Sequence, residues 1–428
     1  MDMRIYPSEL TGSIKAVASK SEAHRLLICA AFADGVTDID CNTTSADIDA
    51  TASCLRALGA QVTRTKLGFR VSPARTARQG ALLDCGESGS TLRFLLPVVA
   101  ALGCDARLTG HGRLPERPLS PLYEELAAHG CKLGEKGVMP LGVGGKLRSG
   151  RFEIAGNVSS QYVSGLLMAA PLMDEDTEVF VTEPIESLPY VDITCQALSR
   201  FGVKVSREKH EEEGHCGLLF KVSGASSYTT PGTVAVGGDW SNAAFWLAAG
   251  AFSETGIEVT GLDVASTQGD RAVLAAIALL GGGVVRGREG AATRCDGLRG
   301  CTLDVKSCPD LVPPLAAVAA LAKGTTKITG AARLRIKESD RLKTVSAAIN
   351  ALGGHVEETQ DGLVIDGADV LSGGVVDATN DHRIAMMSAI LATRAKGAST
   401  IRGAECVAKS YPAFFEDLRA LGGRCEEV

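Results

Sequence analysis

The chain has 428 residues, long enough for two or more domains with ample core. It is 45% hydrophobic and 4% aromatic with a formal net charge of -6, which excludes a disordered chain and argues against a nucleic-acid or anionic-membrane surface. A local basic pocket stays compatible with that total.

In chain order, Met1-Asp2-Met3-Arg4 leads into a strand-like segment with no apolar signal core, so a cytoplasmic protein is expected. A repeated unit then follows. An apolar helix is predicted from near Lys20, and a second helix ends at Leu58-Gly59-Ala60-Gln61-Val62. The next apolar helix starts near Ser88, with a helix end at His129-Gly130-Cys131-Lys132-Leu133. The third starts near Ser159 and is followed by Phe201-Gly202-Val203-Lys204-Val205. The fourth starts near Asp239, with Leu280-Gly281-Gly282-Gly283-Val284 behind it. The fifth and sixth start near Pro309 and Asp381, with ends at Leu352-Gly353-Gly354-His355-Val356 and Leu421-Gly422-Gly423-Arg424-Cys425. Each first glycine can take the left-handed conformation that ends a helix, and the residues after it start a strand. Ser19 or Ser21, Ser88, Ser159, Asp239 and Asn380 or Asp381 are good capping residues for the apolar helices. Those helices are apolar nearly all round, as in Phe245-Trp246-Leu247-Ala248-Ala249, and belong inside a domain. The apolar run 311–322 is too short for the about 18 residues that span a bilayer.

The unit therefore reads buried helix, strand, outer amphipathic helix, strand. Six units divide into two α/β domains of three, with Val236-Gly237-Gly238-Asp239 as the hinge. The thirteen Cys form no CxxC pair and read as reduced thiols. His210 to Cys216 has metal-ligand residue types, but a charged loop between two strands explains it and no second ligand cluster exists, so no metal is expected.

A mere scaffold of repeats would start its buried helices with neutral residues. These start instead with Lys20-Ser21-Glu22-Ala23-His24-Arg25, Ser88-Gly89-Ser90-Thr91-Leu92-Arg93, Ser159-Ser160-Gln161, Asp239-Trp240-Ser241-Asn242, Pro309-Asp310 and Asp381-His382-Arg383. A helix N-terminus already attracts anions through its unpaired N–H groups, and Arg or Lys there adds partners for phosphate and carboxylate. Arg25 and Arg93 lie one turn after Ser21 and Gly89 and can cover their own helix entrances. Glu116-Arg117-Pro118, Ser187-Leu188-Pro189-Tyr190, Lys337-Glu338-Ser339-Asp340-Arg341 and Ala408-Lys409-Ser410-Tyr411-Pro412 precede or open outer helices. Alone, Lys337 and Arg341 read as a surface cap or helix charge spacing; their recurrence at equivalent places carries the functional reading. No GxxxxGK[ST], no GxGxxG and no nucleophile triad motif is present. What remains is a phosphate-rich site with a few carboxylates for proton transfer.

At this point the motifs resemble a known family along essentially the whole chain. Ser19-Lys20-Ser21 with Arg25 resembles the Ser-Lys-Ser-x-x-x-Arg signature of the EPSP synthases, which belong to the enolpyruvyl transferases. Gly86 to Arg93 resembles their Gly-x-x-Gly-[Ser/Thr]-x-x-Arg loop, and the remaining segments complete the set in order. The resemblance implies two similar domains, each of three βαβαββ units with buried helices surrounded by sheets, and an active site in the interdomain cleft. It places an inserted domain at 19–238, mainly on the shikimate 3-phosphate side. A second domain, 1–18 plus 239–428, lies mainly on the phosphoenolpyruvate and proton-transfer side. It further implies that Lys20, Ser21, Arg25, Ser159, Ser160, Gln161, Ser187, Tyr190, Asp310 and Lys337 hold shikimate 3-phosphate. Phosphoenolpyruvate would meet Lys20, Gly89, Arg93, Arg117, Gln161, Arg341, His382, Arg383 and Lys409. Lys20, Asp310 and Glu338 would be catalytic, with Asp310 taking the 5-hydroxyl proton and Glu338 protonating the methylene carbon. The implied reaction is transfer of the enolpyruvyl group by addition and elimination, in the shikimate pathway of aromatic amino-acid biosynthesis. No metal or other cofactor, no nucleic acid and no membrane takes part, and the protein is expected to be a monomer.

Glu87 stands where many members have Asn, Ser90-Thr91 where many have Thr-Ala, and Arg333 where Asn is frequent. These departures put glyphosate sensitivity in doubt and remove no assigned residue. The sister enzyme that uses UDP-N-acetylglucosamine is expected to read Lys-Asn in the first motif and to carry a Cys in a mobile loop, and neither is in place here. A non-catalytic anion-binding repeat protein would tolerate loss of Asp310 and Glu338, and both are present.

Overall fold

The six helix-ending glycines, Gly59, Gly130, Gly202, Gly281, Gly353 and Gly422, all adopt positive φ, between 80° and 112°. A side chain would be strained there, so the repeat in the sequence is a repeat of backbone geometry. In the computed structural model, which describes residues 1–428, each of these glycines delivers the chain into the outermost strand of a four-stranded sheet. There are six such sheets, and all share one pattern. A parallel pair is extended by an antiparallel third strand, which pairs antiparallel with the fourth. Gly150–Ala155, Thr177–Thr182, His215–Val222 and Val205–Glu212 show it, with Gly150 opposite Thr177 and Thr177 opposite Val222.

The chain divides into two compact units, Lys20–Val236 and Met1–Ser19 with Gly237–Val428. The first holds helices α1 (Lys20–Ala31), α2 (Ala46–Ala57), α3 (Gly89–Leu102), α4 (Leu122–Ala128), α5 (Ser160–Ala169) and α6 (Leu188–Arg200). Its first sheet is completed by Thr233–Ala235, which returns to lie parallel to Thr37–Asp40. The second unit holds α7 (Trp240–Ala251), α8 (Val273–Leu279), α9 (Val312–Ala319), α10 (Arg341–Ala351), α11 (His382–Ala392) and α12 (Phe414–Ala420). Two of its sheets are completed from the chain's start. Gly12–Lys15 lies parallel to Ile257–Thr260, and Met3–Tyr6 sits between Ser399–Arg402 and Arg424–Glu427.

Two expectations are corrected. Ser19, Gly237 and Gly238 belong to the second unit, not the inserted one: the Ser19 N–H donates to the Gly237 carbonyl at 2.8 Å, and Ala18 bridges to Gly238. The pattern of two strands per unit also undercounts. Short strands such as Ala81–Asp84 sit so close to the following helix that hydrophobic period alone does not separate them.

The odd-numbered helices are the buried ones. Ser88, Ser159, Asp239 and Asp381 cap α3, α5, α7 and α11, accepting from the N–H groups of Thr91, Gln161, Asn242 and Arg383. Asn380 stands outside its helix at φ 56°. A 3-10 turn, Pro309–Leu311, precedes α9. Trp246 of α7 is buried and stacks on Phe414 with ring centroids 4.7 Å apart. His210 to Cys216 is not a loop: both strands of the hairpin run through it to a turn at Glu213-Gly214, with Glu212 opposite His215. No group of three His, Cys, Asp or Glu side chains there or elsewhere could hold a metal ion. No helix is long and apolar enough to cross a membrane.

Candidate active site

In the unit Lys20–Val236, cations gather at the helix entrances. Lys20 is the first residue of α1, and its Nζ donates to Asp47 Oδ2 of α2 at 2.8 Å. Arg25, one turn on, is 2% exposed. Its Nη1 donates to the Ser21 carbonyl at 2.6 Å, its Nε to Thr194 Oγ1 at 2.7 Å, and its Nη2 to Ser164 Oγ and the Tyr190 carbonyl. Burial pushes this guanidinium down to about 10, with Phe94 under its face at 4.7 Å. The structure makes Arg25 the tie between Ser21, α5 and the entrance of α6. At that entrance Ser187 holds φ 55°, a left-handed conformation unusual for serine.

The α3 entrance concentrates more charge. A Cβ built on Gly89 would lie 2.7 Å from Arg117 Nη1 and 2.8 Å from Arg93 Nη1, so two guanidinium groups converge on this glycine. Arg93 is itself held: Nη1 donates to Gln161 Oε1 at 2.8 Å and Nη2 to the Pro118 carbonyl at 3.0 Å. Gln161 Nε2 donates to Ser90 Oγ at 3.0 Å. Gln161 thus joins the Ser159-Ser160 entrance of α5 to the Gly89 loop. Ser159 spends its hydroxyl oxygen on capping the Gln161 N–H.

In the unit containing Gly237–Val428, the chemistry is a buried ionic cluster. Arg341, first residue of α10 and 1% exposed, donates from Nη1 to Asp310 Oδ1 at 2.9 Å and from Nη2 to Glu338 Oε2 at 2.7 Å. Its Nε donates to Asp381 Oδ2 at 2.8 Å. Lys337 Nζ lies 3.4 Å from Asp310 Oδ1. Arg383 donates to the Asp310 carbonyl at 3.1 Å and to Ser241 Oγ at 2.7 Å. Lys409 Nζ donates to the Asn380 carbonyl at 2.7 Å, and His382 is buried beside Asp381. The bland reading of Lys337 and Arg341 as surface charges is therefore wrong: both converge on Asp310.

Burial alone would raise the Asp310 carboxyl. The summed fields of Lys337, Arg383 and Arg341 outweigh it and hold the group well below the usual carboxylate range. Burial likewise opposes the charge on Arg341, and Asp381, Glu338 and Asp310 more than offset it. The cluster can bind an anion at its cations, keep Asp310 ionised, and present Glu338 beside it.

Sequence reasoning missed Asp47 as the partner of Lys20, and took Asp381 for a helix cap only. Asp381 is fully buried, caps Arg383, and also receives Ser339 Oγ at 2.9 Å, so one carboxylate orders three segments.

The chain matches the family model described as EPSP synthase (3-phosphoshikimate 1-carboxyvinyltransferase) over residues 6–418. It is 41% identical over 425 residues to a Clostridium kluyveri protein named 3-phosphoshikimate 1-carboxyvinyltransferase, covering 99% of this chain and 98% of the relative. A Clostridium beijerinckii protein of the same name is 39% identical over 439 residues, covering 100% and 98%. Among solved structures, the EPSP synthase of Acinetobacter baumannii superposes with a TM-score of 0.79 at 26% identity over the whole of both chains. The enolpyruvyl transferase NikO of Streptomyces tendae, at 18% identity, shares the fold with a TM-score of 0.78 over 100% of this chain and 98% of its own. With the family model spanning nearly every residue named above, this chain belongs to the EPSP synthase family.

Proposed function

We propose that this protein transfers the enolpyruvyl group of phosphoenolpyruvate to the 5-hydroxyl of shikimate 3-phosphate, releasing phosphate. The observation that carries the reading is the pairing of chemistries: convergent guanidinium groups at Gly89 in one unit, and an Asp310–Glu338 pair embedded among Lys337, Arg341 and Arg383 in the other. Two anions must be brought together, so cations must offset their repulsion. Both units supply them.

Lys20, Ser21, Arg25, Ser159, Ser160, Gln161, Ser187, Tyr190, Asp310 and Lys337 hold the acceptor, and Arg25 also orders Ser21 and Tyr190. Lys20, Gly89, Arg117, Arg341, Arg383 and Lys409 hold the donor's phosphate and carboxylate, with Arg93, Gln161 and His382 beside them. The 5-hydroxyl oxygen attacks C2 of the donor, its proton passes to Asp310, and C3 gains a proton from Glu338. A tetrahedral phospho-ketal results. C3 then returns a proton to the Glu338 carboxylate as the C2–O bond to phosphate breaks, the electron pair of that bond leaving with the phosphate. Unliganded, Asp310 is ionised but weakly basic. Donor anions drawing on Arg341 and Arg383 weaken that field, so the carboxylate becomes a better base when the donor is in place.

The deciding assay is phosphate release from phosphoenolpyruvate with either shikimate 3-phosphate or UDP-N-acetylglucosamine as acceptor. Release with shikimate 3-phosphate alone is expected. Release with the nucleotide sugar alone reverses the acceptor assignment, and no release with either from folded protein removes the catalytic reading.

Gly89→Ala provides a local test. The side-chain ends that its Cβ meets can swing away, so the fold survives, but Arg93 and Arg117 lose their places. KM for phosphoenolpyruvate should rise about tenfold, equivalent to about 1.4 kcal/mol of lost binding. KM for shikimate 3-phosphate should move much less. Steady-state kinetics with each substrate varied checks both, and equal shifts in the two values would contradict the donor assignment of Gly89.

A further inference from the structure

Behind the Gly89 loop runs a buried polar line that none of the roles above uses. Thr51 on α2 and Thr91 in the first turn of α3 are 0% exposed, as is His24 of α1. His24 Nδ1 lies 2.7 Å from Thr51 Oγ1, and Thr51 Oγ1 lies 2.7 Å from Thr91 Oγ1. The Thr91 hydroxyl reaches Ser88 Oγ at 2.8 Å, and the same Ser88 oxygen accepts the Thr91 N–H at 3.1 Å. Thr91 Oγ1 is also 3.5 Å from the carbonyl of Asp47, whose carboxylate holds Lys20. The line therefore joins the helix of Lys20, the helix of Asp47 and the cap of the Gly89 helix.

Packing alone does not call for these groups. Buried hydroxyls cost stability unless bonded, and valine has nearly the shape of threonine. Ser88 already caps α3 through the Thr91 backbone, so the Thr91 hydroxyl is not needed to start the helix. His24 packs edge-on against Phe94, and its Nε2 has no hydrogen-bond partner, so Thr51 is the one polar anchor of the ring. Burial first, then Lys20 and Arg25, keep that ring neutral.

We propose that Thr91 and Thr51 are positioning residues for the donor: through Ser88 and His24 they fix the α3 entrance, and with it Gly89, relative to Lys20. The inference rests on the assignment of Gly89, Arg117 and Lys20 to phosphoenolpyruvate.

The test measures KM for each substrate, kcat and melting temperature in Thr91→Val, Thr91→Ser and Thr51→Val, with Arg117→Ala as the control. Loss of one such bond should raise KM for phosphoenolpyruvate about fivefold in either valine variant and leave KM for shikimate 3-phosphate within about twofold. Thr91→Ser should restore the wild-type value. The double valine variant should be no worse than either single one, because both cut the same line. A Thr91→Val protein that melts earlier with an unmoved donor KM overturns the inference, and so does a Thr91→Ser protein as impaired as Thr91→Val. If Thr91→Val does not fold, Thr51→Val decides by the same criterion. An unmoved donor KM in Arg117→Ala removes the donor assignment and this inference with it. A raised one beside unmoved valine variants removes this inference alone.

Discussion

Arg341→Ala should lose turnover by a factor of at least ~10³ and destabilise the unit that holds it by about 3–5 kcal/mol. The magnitude follows from what Arg341 leaves behind. Of its hydrogen bonds, Asp310 and Glu338 each receive one and Asp381 two, and Asp381 is wholly buried. Removing the guanidinium strands Asp381 without its main countercharge, and brings two catalytic carboxylates into mutual repulsion. Arg341→Lys should recover part of the stability but little activity, because an ammonium cannot hold three carboxylates in a planar fork. The deficit has a pH signature. Asp310 and Asp381 are held below their ordinary range in the folded state, so the stability they contribute is present above an unfolded value near ~3.9 and is lost as pH falls through their folded values. The variant lacks much of that term. Its difference from wild type should be largest near neutral pH and shrink below about pH 4. Denaturant unfolding across pH, with initial rates at pH 7, checks both halves. An unchanged unfolding midpoint at neutral pH would show that the cluster is solvated or paired otherwise.

Much of this was legible in the chain because it is written six times. Gly59 through Gly422 end helices in the same way, and repetition turns a weak local signal into an architecture. The first strands are a different matter. Met3–Tyr6 and Gly12–Lys15 complete sheets whose other strands lie in the C-terminal half, pairing Met3 with Ile401 and Gly12 with Ile257. No local pattern encodes a partner that far away, so only the family resemblance pointed to the crossing. The site divides likewise. Cations at helix entrances were visible as motifs. The acids that hold them were not, since Asp47 stands 27 residues from Lys20 and Asp381 stands 40 from Arg341. Each looks like an ordinary first-turn or capping acid, and only folding brings it to its cation.

Lys20→Ala should lose turnover by at least ~10³-fold and leave the fold within about 1 kcal/mol of wild type. The two halves of this expectation have one cause. A cation in the first turn opposes the helix macrodipole, which prefers negative charge there. Lys20 occupies that position in α1, Arg341 in α10 and Arg383 in α11. Local helix physics would not choose them, and a residue that breaks a local rule at equivalent places is there for something outside the helix. Lys20 differs from Arg341 in its surroundings. Its side chain is 17% exposed and its partner Asp47 12%, so water can serve Asp47 when the ammonium is gone. Its loss should therefore remove charge stabilisation from both substrates without leaving a dry, unpaired carboxylate. Asp47→Asn offers the complementary measurement: it keeps the ammonium but weakens its anchor, and should cost far less turnover than Lys20→Ala. Measuring kcat and thermal unfolding for the pair separates the readings. Near-normal turnover in Lys20→Ala would refute its catalytic role. A melt as damaged as that of Arg341→Ala would mean that Lys20 is chiefly a structural countercharge for α2.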